Sequence, residues 1–267
     1  MSRVMPNFKD WLLENWRYRE LIFFMVWRDI KVRYKQTLLG AAWAVIQPLF
    51  TMIVFTLFFG NLGRIPSDGI PYPIFSYSAL VAWTYFSTAL SYSGNSLVGN
   101  SNLLTKVYFP RASLPASAVL SGVPDFLLAS LILVGLMGYY HIAPSWAILL
   151  WPVLLIPLIF LALGVGLFLS ALNVKFRDIK YALPFIVQLM MFLSPVIYPA
   201  SMVPERYRVL AALNPLTGIL EAFRSSLFPA RTVDWKLLGI SLLVTAIIFV
   251  SGLLFFRKAE SDFADVI

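Results

Sequence analysis

Few side chains in this sequence could carry bond-making chemistry, and they are scattered. There is one histidine, His141, and no cysteine, which leaves no material for a thiolate metal site, a disulfide or a histidine-based triad. No G-x-x-x-x-G-K-[ST] segment is present to cradle ATP phosphates, and there is no nucleophile elbow or zinc-ligand spacing. What remains is charge. Arg28, Lys31, Arg33 and Lys35 crowd one short segment, and the tetrapeptide Arg-Asp-Ile-Lys that opens there at 28–31 returns at 177–180. Asp125, in "SGVPDFLLASL", is the one acid set well inside an apolar stretch. Such a carboxylate is by default a proton or substrate contact. Beside Pro124, pairing with a neighbouring helix or capping of a helix restarted after the proline is the favoured reading.

The elements that must position these residues follow from composition. Of 267 residues 60% are hydrophobic and only 13% charged, too few charges to cover a soluble domain. Charge-free runs of 28, 37, 49, 24 and 20 residues occupy 36–63, 69–105, 126–174, 181–204 and 237–256. About 20 apolar residues cross a bilayer as a helix, so the sequence predicts an all-α integral membrane protein. Its six transmembrane helices are placed at 38–60, 74–98, 113–138, 146–172, 181–199 and 236–256. The longest run is split at "GYYHIAPS" (138–145), where glycine, proline and interfacial tyrosines suit a tight turn. Of the 21 Lys and Arg residues, 15 fall on the side of the two termini and six on the other. Both termini are therefore expected in the cytosol. The same rule accounts for the +8 net charge without nucleic acid.

Three segments are expected to do more than cross. In 20–36, Phe23, Val26, Trp27, Ile30 and Tyr34 share one helical face and Arg28, Lys31 and Lys35 another. That pattern describes an amphipathic interface helix lying along the cytosolic membrane surface. In 200–230, "NPLTGILEAFRSSLFP" opens with an N-cap and a proline at the first helical position. It is too short to cross and too apolar for a free loop, so re-entrant or interfacial helices are expected there. In 80–102, Trp83, Tyr85, Phe86 and Tyr92 alternate with serines, threonines and asparagines. Small hydroxyl residues serve close helix packing, and aromatic faces together with hydroxyls also suit a path for sugars. The two Arg-Asp-Ile-Lys copies are followed by unrelated residues and so give no evidence of duplication. Each precedes a span, where cations anchor at headgroups.

Five segments, "RDIKVRYKQTLLGAAWAVIQPL" (28–49), "LTKVYFPR" (104–111), "NVKFRDIKYALPF" (173–185), "LSPVIYP" (193–199) and "LNPLTGILEAFRSSL" (213–227), occur in one order along the chain. Together they resemble the membrane subunit of ABC exporters for lipid-linked polysaccharides: the O-antigen, capsule and teichoic acid export permeases. The resemblance implies a multi-pass permease of the bacterial cytoplasmic (inner) membrane, acting as a homodimer with two copies of a separate ATP-binding subunit. The permease itself needs no cofactor, since ATP and magnesium belong to that partner. It also implies a coupling segment at about 101–112, with Lys106, Tyr108, Pro110 and Arg111 seated against the ATPase, and an external re-entrant region that includes Glu221 and Arg224.

On this footing the substrate is expected to be an undecaprenyl-linked polysaccharide. Arg28, Lys31, Arg33 and Lys35 are expected to receive its pyrophosphate. Trp43, Trp83, Tyr85, Phe86 and Tyr92 are expected to line the glycan's path, and membrane lipids surround the whole. The alternatives are an exporter of a small amphiphile, drug or other lipid, and a membrane-embedded lipid-linked glycosyl or phosphoryl transferase. The latter would need acids clustered in the cytosolic loops, where 173–180 has only Asp178 and 99–112 has none.

Overall fold

A computed structural model describes residues 8–35, 40–176, 178–229 and 231–261. Gln36, Leu38 and Leu39, at the edges of the expected interface helix and first span, lie outside the described residues, as do Arg177 of the second tetrapeptide and Ala230. Every regular element described is helical. The order is α1 (Phe8–Arg17), α2 (Arg19–Lys35), α3 (Trp43–Phe55, continued by a π-helical turn Thr56–Leu62), α4 (Tyr72–Gly99), α5 (Ser101–Lys106), α6 (Ser113–Leu120), α7 (Val123–Tyr139), α8 (Trp151–Lys175), α9 (Ile179–Leu193), α10 (Glu205–Ala212), α11 (Pro215–Ser225) and α12 (Trp235–Glu260).

Among the described residues, four helical stretches are long and apolar enough to cross a bilayer: Trp43–Leu62, Ser113–Tyr139, Trp146–Lys175 and Trp235–Glu260. The expected second and fifth crossings differ from these for separate reasons. Helix α4 has 28 residues, about 42 Å at 1.5 Å per residue, and is rich in hydroxyls. It is the hub, packed on α8, α6, α7, α3, α11 and α9, so it needs no lipid-facing apolar surface. Buried Ser76, Ser78 and Ser96 bond back to their own helix, Ser76 Oγ donating to Tyr72 O at 2.9 Å and Ser96 Oγ to Ser93 O at 2.7 Å. Their polarity costs little and their small size lets neighbours approach. A Cβ added at Gly166 of α8 would stand 2.2 Å from Ser93 Oγ.

Helix α9 has 15 residues, about 22 Å, short of a hydrocarbon core of about 30 Å. It was expected to run to 199, and it stops at Leu193. Ser194, Val196 and Ile197 then turn inward and are buried, within a segment bracketed by Pro195 and Pro199. The expected third span is also interrupted. Helix α6 ends and α7 begins across Ser121–Gly122, just before Pro124, which lacks the N–H a continuous helix would need. A Cβ at Gly122 would meet the Tyr85 ring at 3.2 Å.

The segment 200–229 is helical over Ala200–Met202, Glu205–Ala212 and Pro215–Ser225. Asn214 caps α11 by accepting from Leu216 N at 3.2 Å, with Pro215 at the first helical position. The helix lies against α12, α4 and α8, and Leu216, Ile219, Leu220 and Phe223 are wholly buried. Tyr72 OH donates to Ile197 O at 2.8 Å, and Trp151 Nε1 to Ser226 Oγ at 3.0 Å. These bonds fasten the turn after α9 and the end of α11 to the hub and to α8.

Candidate functional site

Helix α2 presents three faces rather than two. Phe23 and Trp27 are exposed, as the expected aromatic face requires, and Lys31 and Lys35 are exposed on a second. The third face, Met25, Asp29 and Arg33 at i, i+4 and i+8, turns toward α6. The contacts keep register: Ser117 Oγ donates to Asp29 Oδ2 at 3.2 Å, and one turn on Arg33 donates to Ser121 Oγ at 3.1 Å and to Ser121 O at 3.3 Å. The break after α6 leaves end carbonyls outside a continuing helix, and Ser121 O is one that a side chain from α2 reaches.

The same break places Asp125 in the first turn of α7, where a carboxylate suits the helix dipole. Both of its oxygens are occupied from α2. Arg33 Nη1 donates to Oδ2 and Tyr34 OH to Oδ1. The two charged side chains are each about 20% exposed. Burial, and then the hydrogen bond to Asp125, lifts the Tyr34 phenol well above its ordinary value, so it stays an O–H donor at any working pH. The Arg33 guanidinium also lies over the Tyr92 ring, 4.8 Å from its centroid. Asp125 is thus paired with a neighbouring helix, and that helix is α2.

This ion pair stands where two cavities meet. One, of about 240 Å³, has Arg33, Tyr34, Trp43, Tyr85, Tyr92 and Asp125 in its wall. The other, of about 550 Å³, has Arg28, Asp29, Arg33, Tyr92, Asn95 and Ser117. Arg33 and Tyr92 belong to both, so the two form one groove between α2 and the hub. The groove divides the residues singled out in the sequence. Trp43 and Tyr92 are half exposed, and Tyr85, whose OH donates to Val119 O at 3.2 Å, shows only an edge. Trp83 and Phe86 were expected beside them and are instead core residues, buried against each other at 5.9 Å between ring centroids. Two steps along α4 from Trp83 to Tyr85 already change the helical face, which residue type alone does not reveal.

The cationic quartet is divided as well. Arg28 is held by Asp29 at 2.8 Å and Arg33 by Asp125, both within the groove. Lys31 lies outside it, 5.2 Å from the Trp27 ring centroid. Asp29, not singled out in the sequence, sits in the first tetrapeptide between Arg28 and Lys31. That placement was the available signal.

The expected coupling segment separates in the same way. Lys106 and Tyr108 face outward, Tyr108 at 74% exposure. Tyr108 OH donates to Glu14 Oε1 at 3.0 Å, which raises its phenol above the ordinary value. Pro110 is buried, and Arg111 turns inward: its Nη1 donates to Glu260 O at 2.6 Å and its backbone N–H to Glu260 Oε1 at 3.3 Å. Trp11 Nε1 donates to the other Glu260 oxygen at 2.8 Å. One acid at the end of α12 therefore ties α1 and the segment after α5 together, a link that no local pattern in the chain marks.

At the far end of α4, Arg224 of α11 is wholly buried. It donates to Glu221 Oε2 at 2.9 Å and Pro195 O at 2.8 Å, and its guanidinium carbon lies 3.8 Å from the Phe75 ring centroid. Arg231 joins Glu221 at 3.5 Å and Asp68 at 2.8 Å. Among the described residues no cluster of His, Cys, Asp or Glu could hold a metal ion.

Comparison with known proteins agrees with this architecture. A family profile described as ABC-2 type transporter matches residues 20–228. The O-antigen export system permease protein RfbA of Myxococcus xanthus is 29% identical over 95% of this chain and 98% of its own length. The protein of the same name from Klebsiella pneumoniae is 29% identical over 93% and 95%. The polysialic acid transport protein KpsM of Escherichia coli is 24% identical over 87% and 91%. The profile covers most of the chain, from α2 to just past α11, and on that evidence the chain belongs to the ABC-2 type transporter family.

Proposed function

We propose that this chain is the channel-forming permease of an ABC exporter that carries undecaprenyl-linked polysaccharide, O-antigen above all, across the bacterial cytoplasmic membrane. The observation that carries this reading is the groove. It sets aromatic faces and hydroxyls suited to sugars beside a guanidinium suited to phosphate, in a chain with relatives of matching length named as O-antigen export permeases.

In this reading α4 and α9 complete six crossings, both termini are cytosolic, and two permeases assemble with two ATP-binding subunits. A partner ATPase fits a sequence with no phosphate-cradling loop of its own. That partner would seat against the exposed edge of the coupling segment, Lys106 and Tyr108. The pyrophosphate would arrive along α2, and the glycan would follow past Trp43 and Tyr92. The test is transport of an undecaprenyl-linked polysaccharide into the lumen of inverted proteoliposomes holding the permease and its ATPase. ATP-dependent protection of the glycan is expected. ATPase activity stimulated by an amphiphilic drug and indifferent to the lipid-linked glycan would overturn the assignment.

A further inference from the structure

We propose that Asp125 is a built-in stand-in for the substrate's phosphate. In the substrate-free chain it occupies Arg33 and pins the interface helix to α7, and a lipid diphosphate displaces it, freeing α2 to move. The proposal rests on the export reading of the groove and adds a specificity-determining residue to it.

Three observations carry it. First, both arginines in the groove wall already hold an acid: Arg28 has Asp29, and Arg33 has Asp125. A bare guanidinium there would collect any cytosolic anion. A neutralised one yields only to an anion that outcompetes the resident carboxylate, so the acid works as a selectivity element. A diphosphate offers more charge and more oxygens to a planar guanidinium than a carboxylate or monophosphate does.

Second, the pair faces the cavities instead of being sealed. Arg33 lines both and Asp125 lines one, so a headgroup in the groove reaches the guanidinium without unfolding the bundle. While Arg33 changes partner, Asp125 still holds the Tyr34 hydroxyl, which lowers the cost of the exchange, and the cavity that Asp125 lines admits water once α2 moves away. Third, the exchange has a mechanical consequence. Arg33 also bonds both Ser121 oxygens at the α6–α7 break, and the Asp29–Ser117 contact lies one turn away in the same register. Withdrawing Arg33 toward a ligand removes much of the polar staple between α2 and the bundle. A ligand shifts such an equilibrium only through its preference for the released state, and taking over Arg33 supplies that preference.

The test uses the permease–ATPase complex in phosphatidylcholine liposomes and three probes: undecaprenyl diphosphate, undecaprenyl monophosphate and soluble pyrophosphate. Wild type should bind the diphosphate lipid and discriminate against the monophosphate. Arg33→Gln should weaken diphosphate binding about tenfold or more, the scale of a lost charge-assisted hydrogen bond. Asp125→Asn should bind the diphosphate lipid as tightly as wild type or better and lose most of the discrimination. Soluble pyrophosphate, bound as well as the lipid, would identify a free-phosphate site and overturn the lipid assignment. An Asp125→Asn chain that keeps wild-type discrimination, or loses binding as Arg33→Gln does, would overturn the stand-in role.

A second measurement leaves the Arg33–Asp125 pair intact. The chain has no cysteine, so Asp29→Cys with Ser117→Cys introduces the only thiols. Undecaprenyl diphosphate should slow disulfide formation across α2 and α6 several-fold. An unchanged rate alongside normal binding would sink the release step while leaving the export reading standing. No binding of the diphosphate lipid by wild type would sink both.

Discussion

Two arginine–acid centres punctuate the hub helix, Arg224 over Phe75 and Arg33 over Tyr92. They lie about 25 Å apart along α4 at 1.5 Å per residue. Their chemistry is the same and their construction is not. The Arg224 centre is cross-braced: Glu221 serves two arginines, Arg231 reaches on to Asp68, and a backbone carbonyl takes another guanidinium donor. A cavity of about 460 Å³ touches Glu221 and Arg231, with Arg224 buried behind them. The Arg33 centre is a single pair with helper donors, a fifth exposed, at the junction of two cavities. A guanidinium that no ligand can reach, as Arg224's, holds the fold, whereas one on a cavity wall, as Arg33's, is available for exchange.

The largest expected effect falls on the closed centre. Glu221→Gln leaves Arg224 buried with its charge uncompensated, a loss on the order of 3–5 kcal/mol. Thermal unfolding of the purified permease in detergent would register it as a clear fall in Tm. Glu221→Gln combined with Arg224→Met removes both charges and should recover part of that loss. If the double variant is no better than the single one, the centre is not an ion pair in energetic terms. Next in size, Asp125→Asn should cost stability less, about 1–3 kcal/mol, because Arg33 keeps Ser121 and Tyr92 and has access to water. The comparison breaks if Asp125→Asn melts the protein as severely as Glu221→Gln does. Smaller again, Tyr34→Phe removes one donor to Asp125 and should cost about 1 kcal/mol with the ring retained, again read by thermal unfolding.

The two centres were not equally legible in the sequence. The charge-free runs found the four apolar helical stretches, and Asn214-Pro215 marked the start of α11, because span length and N-cap chemistry are local properties. Glu221 and Arg224 at i, i+3 are neighbours on any helix, so that pair was half visible. Arg33 and Asp125 lie 92 residues apart. Which face of α2 turns inward depends on the ridge that α6 offers, and no periodicity within α2 encodes it. The early end of α9 and the hub role of α4 were hidden for a related reason: both depend on what packs around them. Trp83 and Tyr92 likewise both sit among hydroxyl residues in the chain, yet one is core and the other half exposed in the fold.

The smallest stability effect belongs to the open side, and it tests the contrast most sharply. Trp43 is 52% exposed and lines the groove beside the Arg33 pair, while Trp83 is 5% exposed in the core. Trp43→Leu should change stability by no more than about 0.5 kcal/mol, as substitutions away from packed features do, yet reduce ATP-driven glycan transport by removing a stacking face. Trp83→Leu should do the reverse, lowering Tm first and transport only in proportion to folded protein. Measured together as transport per folded complex, the two substitutions separate groove from core without touching a charge. A Trp43→Leu permease that transports normally would take the aromatic wall out of the path, leaving the groove's role to Arg33 and Asp125. Loss of transport without loss of Tm would extend the open, exchangeable character of the Arg33 centre to the surface around it.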